Sequence, residues 1–372
     1  MTALDELARP ATDDDAIGGV PARLVAAPES TEQAAALIKA ASDLTVVVRG
    51  AGTKLDWGLP PRSLDLIIDT RRLAGVVEHA AGDLITIVRA GTPLAALDLG
   101  DQQLALDGPP GATIGGTVAA GTSGPRRMAY GTARDLLIGI TVVRPDGVVA
   151  KSGGKVVKNV AGYDLGKLFH GSYGTLGLIT ECAFRLHPRP PAALFVRAST
   201  PATAVAGVLA AQVVPAAVEV DSATGELAVL LEGTETGVRE RAAKLTKLLG
   251  GEITEQAPQW WGEPPWPAGG IGLKLGVPLS AVPELAGSGA TIRGSAGTGV
   301  LYASAADITE VEAVRALCVR LGGHAVVLTA PPGVREILDM WGPVRGLPLM
   351  RRIKDQFDPG HRFAPGRFVG GI

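Results

Sequence analysis

Between Gly108 and Gly177 the chain reads GPPGATIGGTVAAGTSGPRRMAYGTARDLLIGITVVRPDGVVAKSGGKVVKNVAGYDLGKLFHGSYGTLG, with sixteen glycines in 70 residues against 50 in the whole 372. Each glycine gives up backbone entropy on folding. A stretch that repeats the loss this often needs a backbone that approaches something closely, or one with φ > 0. The apolar runs LLIGITVV and TLGLIT between the glycines belong to a folded core rather than a linker. A turn-rich all-β region would explain the glycines, but not their pairing with Thr113, Thr117, Thr122, Ser123 and Thr175. A cradle for a large, flat, phosphate-bearing cofactor explains both.

A second stretch points the same way. The valine-rich run Leu44 to Val48 reads as a short buried strand, and Arg49-Gly50-Ala51-Gly52-Thr53-Lys54 follows it directly. A strand entering Gly-x-Gly-Thr can turn several backbone N–H groups toward one anion. The GxxxxGK[ST] loop is absent, and Leu55 stands where a Rossmann fingerprint has its third glycine. Asp56-Trp57-Gly58-Leu59-Pro60-Pro61 then reads as loop, which favours a phosphate loop of a non-Rossmann type. An ordinary strand-to-loop turn remains the alternative.

Composition narrows the class. Hydrophobic residues make up 46% and charged ones 19%, as in a globular chain, and the length suits two domains. A net charge of −2 argues against a nucleic-acid partner held through phosphates. Cys182 and Cys318, without a CxxC, cannot ligate an iron–sulfur cluster or zinc alone, and their apolar settings read as packed thiols. The acidic N-terminus has no apolar signal region. Gln212 and Pro215 interrupt the most apolar long window, Ala202 to Val220, so no transmembrane segment is read. The expected location is the cytoplasm, with peripheral attachment to the inner membrane through a complex left open.

Along the chain, Pro28-Glu29-Ser30-Thr31-Glu32-Gln33 opens a helix that Ser30 caps, with Gln33 at the capping-box position, and Ala34 to Ala41 continues it. Strands are expected at Leu64–Thr70, Gly75–His79, Leu84–Ala90, Leu136–Arg144, Val148–Lys151 and Leu176–Leu186, with a short helix over Leu94–Leu99. His187-Pro188-Arg189-Pro190-Pro191 is a stiff connector and a domain boundary. Beyond it, strands at Ala193–Arg197, Val218–Asp221, Glu226–Leu231, Gly272–Val277, Val300–Ala303 and His324–Thr329 alternate with helices at Arg239–Leu249 and Ile308–Leu321. That pattern suits one antiparallel sheet with helices on one face. Trp260, Trp261 and Trp266 share a Pro-rich loop, read as a partner surface or lid, with core packing as the ordinary role of a single tryptophan.

Several of these segments carry a resemblance. Arg49-Gly50-Ala51-Gly52-Thr53, Thr113-Ile114-Gly115-Gly116, Tyr130-Gly131-Thr132-Ala133-Arg134-Asp135, Gly162-Tyr163-Asp164-Leu165, Gly171 to Thr180, and Phe357-Asp358-Pro359 with Pro365-Gly366-Arg367 occur in the order found in the vanillyl-alcohol oxidase and p-cresol methylhydroxylase (PCMH) flavoproteins. Within that superfamily the chain is most similar to the FAD-binding small subunits of bacterial glycolate oxidases. The resemblance implies an α+β protein. Residues 1–190 would form a PCMH-type FAD-binding domain of two α/β subdomains, and 191–349 an antiparallel-sheet cap domain. Residues 350–372 would return to the FAD domain.

The resemblance also implies site residues. The backbone of Gly50, Ala51, Gly52, Thr53 and Lys54 would hold the pyrophosphate of FAD. Thr113, Ile114, Gly115, Gly116, Ala120, Gly121, Ser123 and Gly124 would pass beneath the flavin and ribityl chain. Gly177 and Ile179 would meet the adenine end, and Arg49, Pro109, Gly111 and Gly174 complete the cofactor-binding set. The side chains of Lys54, Arg134 and Lys158 are read as solvated or structural. Positions 50–58 hold no histidine or cysteine, so the FAD is expected to be non-covalent. Relatives that oxidise 2-hydroxy acids carry a metal-binding histidine pair, and no two of His79, His170, His187, His324 and His361 make such a motif. No metal site and no catalytic base is therefore read.

The resemblance further implies a small hydroxy-acid substrate and a complex with a homologous larger flavin subunit and an iron–sulfur subunit. A self-sufficient FAD-dependent dehydrogenase or oxidase and a non-catalytic assembly subunit are the alternatives.

Overall fold

The computed structural model describes residues 2–155 and 163–372; Lys158 and Gly162, singled out above, lie outside them. The chain divides into two compact units. One comprises Met1–Thr122, Thr132–Pro188 and Pro343–Ile372, the other Ser123–Gly131 and Arg189–Gly342. Ser123–Gly131 thus groups with the second unit, although its sequence neighbours lie in the first.

The first unit holds two main sheets. In one, β1 (Ala8–Pro10), β2 (Leu24–Ala26), β3 (Val46–Arg49) and β4 (Leu66–Asp69) lie in the order β1-β2-β4-β3, with β4 parallel to both β2 and β3. Helix α1 (Thr31–Ala40) covers it, burying Ala34, Leu37 and Ile38 at helical spacing beside Val46, Leu66 and Ile68. Ser30 Oγ accepts from the Gln33 amide at 3.1 Å, as expected. The Gln33 side chain instead reaches one residue further out and accepts from the Glu29 amide.

The second sheet is antiparallel. Its strands are β5 (Val76–Ala80), β6 (Ile85–Arg89), β7 (Leu137–Val143), β8 (Val149–Gly153) and β9 (Leu178–Arg185), in the order β8-β7-β9-β6-β5. Against it packs α2 (Ile114–Ala120), burying Ile114 and Val118 in a core with Val88, Leu137 and Phe184. No helix is expected over IGGTVAA from propensity, because it carries two glycines. Tertiary packing and a Thr113 N-cap make one. The expected helix at Leu94 shortens to a 3₁₀ turn, Leu94–Ala96.

The second unit is built on one eight-stranded antiparallel sheet. Its strands are β10 (Ala192–Ser199), β11 (Ala217–Asp221), β12 (Glu226–Gly233), β13 (Glu252–Thr254), β14 (Ile271–Gly276), β15 (Thr291–Ser295), β16 (Val300–Ala305) and β17 (His324–Thr329), in the order β13-β10-β12-β11-β15-β16-β14-β17. Strand β15 escaped the sequence reading because it lies in a glycine-rich run and carries Gly294. Helices α3 (Glu235–Leu249) and α4 (Ile308–Arg320) bury Val238, Ala242 and Leu245, and Val311, Val314 and Cys318. One sheet face is accordingly apolar, with Leu227, Val220, Ile292, Leu301 and Leu273 buried on it.

The alternate positions form a polar row running Glu226, Asp221, Arg293, Tyr302, Lys274 across five strands. The tryptophans of the Pro-rich loop pack onto the protein, while Gly262, Glu263, Pro264 and Pro267 are exposed. Trp260 is 8% exposed and donates to Glu226, and the Trp261 ring lies edge-on to Phe195. Both cysteines are buried thiols, and burial pushes Cys318 up to about 11.

The last thirty residues belong to the first unit. In α5 (Leu347–Phe357), Lys354 is fully buried. Its ammonium donates to the Thr175 carbonyl (2.7 Å), the Phe363 carbonyl (2.9 Å) and Asp358 Oδ2 (2.7 Å). Burial draws this lysine below its ordinary pKa against the opposing pull of Asp358. Lys354→Met would leave a buried carboxylate without its counter-ion and two carbonyls without their donor, a loss on the order of 3–5 kcal/mol. Thermal and urea unfolding of the variant should show the first unit melting well before that of the parent; an unchanged melting profile would refute the role given to this contact.

Candidate functional site

Strand β3 delivers the chain into the Gly50–Lys54 turn. At Gly50 a β-carbon would collide with Thr113 Oγ1, so only glycine lets this loop press on the cap of α2. Gly52 turns the backbone at φ +80. Among the described residues, the N–H groups of Ala51, Gly52, Thr53 and Lys54 donate to no other group, whereas Leu55 and Trp57 bond back to Gly52 and Lys54 within the loop. Successive unengaged N–H groups of this kind make a concavity for an anion.

Helix α2 behaves differently. Its Ile114 amide donates to Thr92 O, Gly115 to Ala90 O and Gly116 to Thr113 Oγ1, so the first turn has no donors left for a ligand. It contributes shape instead. The loop and α2 border a cleft. Twelve of the residues picked from the sequence line it: Gly50, Ala51, Gly52, Thr53 and Lys54; Thr113, Gly115, Gly116 and Ala120; and Gly174, Gly177 and Ile179.

Their glycines differ in purpose. A β-carbon on Gly115 would lie 2.7 Å from Ala90 Cβ, so this glycine serves helix-to-strand packing. One on Gly116 would meet only Thr113 Oγ1, at 2.9 Å. At Gly177, φ is +147 and a β-carbon would press on the Val143 carbonyl at 2.8 Å.

Two cations reach this cleft. Lys54, read as solvated or structural, is half-buried; burial pushes it down to about 8 against the opposing charge of Asp56. Arg367, 3% exposed, also lines it and donates to the carbonyls of Leu55 and Trp57, both at 2.9 Å. Sequence reasoning marked Pro365-Gly366-Arg367 without giving Arg367 a role; its distance of more than 300 residues from the loop it binds conceals the contact.

The remaining seven picks lie elsewhere. Arg49 donates to Asp15 Oδ1 (3.0 Å) and Asp69 Oδ2 (3.1 Å), bracing the loop from behind. Burial works against the charge of Asp15, but hydrogen bonds from Arg9, Thr12 and Arg49 outweigh it and hold the carboxyl below the usual range. Pro109 and Gly111 form an exposed turn before α2, Ile114 points into the core, and Gly121 closes the helix. Ser123 and Gly124 group with the second unit, where their carbonyls accept from Arg127. Arg134 is exposed, as expected. No histidine or cysteine lines the cleft. Among the described residues, no three His, Cys, Asp or Glu side chains are grouped to hold a metal.

With this geometry in view, the comparisons with known proteins are informative. Residues 22–153 match the family described as FAD binding domain. The chain is 33% identical over 362 residues to glycolate oxidase subunit GlcE of Escherichia coli K12, a match covering 90% of this chain and 95% of that one. The chain belongs to the GlcE family of FAD-binding proteins. Its cofactor is FAD. Glycolate oxidase subunit GlcD of Bacillus subtilis is 33% identical over 208 residues, covering 52% of this chain and 44% of that one. The fold matches a solved alkyldihydroxyacetonephosphate synthase with a TM-score of 0.67 at 17% identity, over 93% of this chain and 77% of that one. The α+β architecture expected for PCMH-type flavoproteins is thus the one found.

The two neighbouring glycines give a paired test. Gly116→Val should fold with an unchanged circular dichroism spectrum yet purify with little or no FAD, because its side chain projects into the cleft. Gly115→Val should instead lower the melting temperature even without FAD, since overpacking against Ala90 costs about 1–3 kcal/mol. Full FAD occupancy in Gly116→Val would exclude this cleft as the flavin site.

Proposed function

We propose that this chain is the FAD-binding subunit of a complex that oxidises a small 2-hydroxy acid, glycolate being the first candidate. The observation that carries the reading is an end-to-end match to a glycolate oxidase subunit together with an intact anion loop and cleft. D-lactate dehydrogenase of Archaeoglobus fulgidus, 34% identical over 173 residues, widens the substrate class to other 2-hydroxy acids.

The residues fit the cofactor. The N–H groups of Ala51 to Lys54 would receive the pyrophosphate, and Lys54 would supply a counter-charge without a competing ion pair. The open face of Gly116 leaves room for a flat group, and Gly174, Gly177 and Ile179 would border the other end. The lack of a lining histidine or cysteine supports a non-covalent flavin. When bound, FAD accepts the substrate's hydride equivalent and releases electrons to an acceptor; the protein's part is to hold and orient it. Two buried cysteines cannot ligate a cluster, so an iron–sulfur acceptor would reside on another chain, beside a larger flavin subunit. Among the described residues no helix is long and apolar enough to cross a membrane.

Two measurements bear on this. Anaerobic addition of glycolate or D-lactate to the complex purified from the native host should bleach the visible absorption of the flavin. Fast bleaching of the isolated chain would identify a self-sufficient dehydrogenase instead. FAD affinity should also depend on pH. Below about pH 8 the Lys54 ammonium is charged and favours the pyrophosphate. As pH rises above that value binding must take up a proton, so Kd should rise by up to about tenfold per unit. Flavin fluorescence titrations from pH 6.5 to 10 should show this slope in the parent and lose it in Lys54→Met.

A further inference from the structure

The polar face of the second unit's sheet holds a group of side chains with no part in the cleft. Most of its charges are matched: Arg197 pairs with Glu226, Arg293 with Asp221, and the Tyr130 hydroxyl donates to Glu232. Lys274 is different. It sits on β14 directly across from Tyr302 on β16, and among the described residues it makes no ion pair or hydrogen bond.

Arg127, on the Ser123–Gly131 segment of the same unit, donates to the Tyr302 hydroxyl at 3.3 Å and, among the described residues, otherwise only to the Ser123 and Gly124 carbonyls. Arg127 thus bonds the hydroxyl of the residue that pairs in register with Lys274, and among the described residues neither cation has a carboxylate partner. Glu219 lies in the next cross-strand row, three strands from β14. Burial pushes Lys274 down to about 8, and the charge of Arg127 presses the same way.

The site also has a wall. Trp266 stands edge-on to Tyr302, with ring centroids 5.9 Å apart, and its indole fills the space above Gly272 that any β-carbon would occupy. Gly272 lies two residues before Lys274, on the same side of the same strand.

We propose that Arg127, Lys274 and Tyr302 bind the carboxylate of a small organic acid, with Trp266 as the wall of the site. A planar guanidinium, an ammonium and a phenolic O–H supply convergent donors suited to a two-oxygen anion. The bound carboxylate supplies the negative charge that the two cations lack. For the identity of the acid the inference rests on the 2-hydroxy-acid reading above; for the class of ligand it rests on these residues alone.

Oxalate, a carboxylate with no hydrogen to give up, is the probe. Calorimetric titration of the full-length FAD-loaded protein with oxalate should show saturable binding accompanied by a change in tryptophan fluorescence. Lys274→Met should weaken that binding at least tenfold with FAD content preserved. Its melting temperature should hold or rise, because Lys274 has no partner to lose. Lys274→Arg should retain most of the affinity, and Trp266→Phe should diminish the fluorescence change while leaving the heat of binding.

Oxalate bound equally well by Lys274→Met, or inorganic phosphate bound as tightly as oxalate, would overturn the proposal. Flavin reduction, measured separately, keeps the two readings apart. A protein that binds oxalate through Lys274 but whose flavin no hydroxy acid reduces upholds this site and overturns the catalytic reading. Reduction by glycolate with oxalate binding unaffected by Lys274→Met does the reverse.

Discussion

A loop that leaves its own N–H groups unengaged must be held by something other than itself. The Gly50–Lys54 turn has two internal bonds beyond it, from Leu55 and Trp57, and neither fixes its anion-facing amides. What holds it comes from far along the chain. Arg367 grips the Leu55 and Trp57 carbonyls, the Leu59 amide donates to Arg367 O, and the Arg62 amide to Pro365 O. Val46, at the start of the preceding strand, is bridged to Phe363, and the Ala364 amide donates to Val46 O at 2.7 Å. The C-terminal segment thus replaces, from outside, the hydrogen bonds that a helix or hairpin would have formed within the loop. This matters for binding because amides already in place for an anion need no reorganisation when it arrives.

The same segment is held by a charge. Lys354 has all three of its N–H bonds directed at fixed acceptors, one of them the carbonyl of Thr175 in the turn that brings Gly174 and Gly177 to the cleft. A buried ammonium in apolar surroundings would be a heavy cost; here Asp358 and two carbonyls offset it. Asp358 Oδ2 also accepts from the Phe363 amide, so one carboxylate oxygen links α5 to the strand-like stretch that pairs with Val46. Both margins of the cleft therefore depend on a contact between residues nearly two hundred positions apart.

That distance explains what was and was not legible in the sequence. The Gly-x-Gly-Thr turn after a valine-rich strand, and the glycines at 115, 116, 174 and 177, announced a close-approach surface because glycine has few other reasons to recur so densely. Local pattern could not separate Gly116, which faces the cleft, from Gly115, which faces Ala90, since a helix turns adjacent residues to different sides. Nor could it show that α2 exists, because its stability comes from packing and a cap rather than propensity. Arg49 reads as part of the phosphate loop by position alone, and only the fold reveals Asp15 and Asp69 as its partners. Lys354 reads as one surface lysine among the four charges of an amphipathic helix until Thr175 and Phe363 close over it.

The second unit shows the limit of periodicity from another direction. Alternation along β11, β14, β15 and β16 makes one sheet face apolar, and α3 and α4 cover it. Alternation says nothing about how the residues of the other face pair across strands, because register depends on which strands are neighbours. In chain order β14 and β16 flank β15, yet in space β16 lies between the other two. That order places Tyr302 between Arg293 and Lys274, and among the described residues only Arg293 of the two has a carboxylate as ion-pair partner. Buried charges without partners are rare in folded proteins, since the desolvation they suffer has to be offset somewhere. Lys274 gains no such offset from the described residues of this chain, and a ligand of opposite charge is the physical means by which it would.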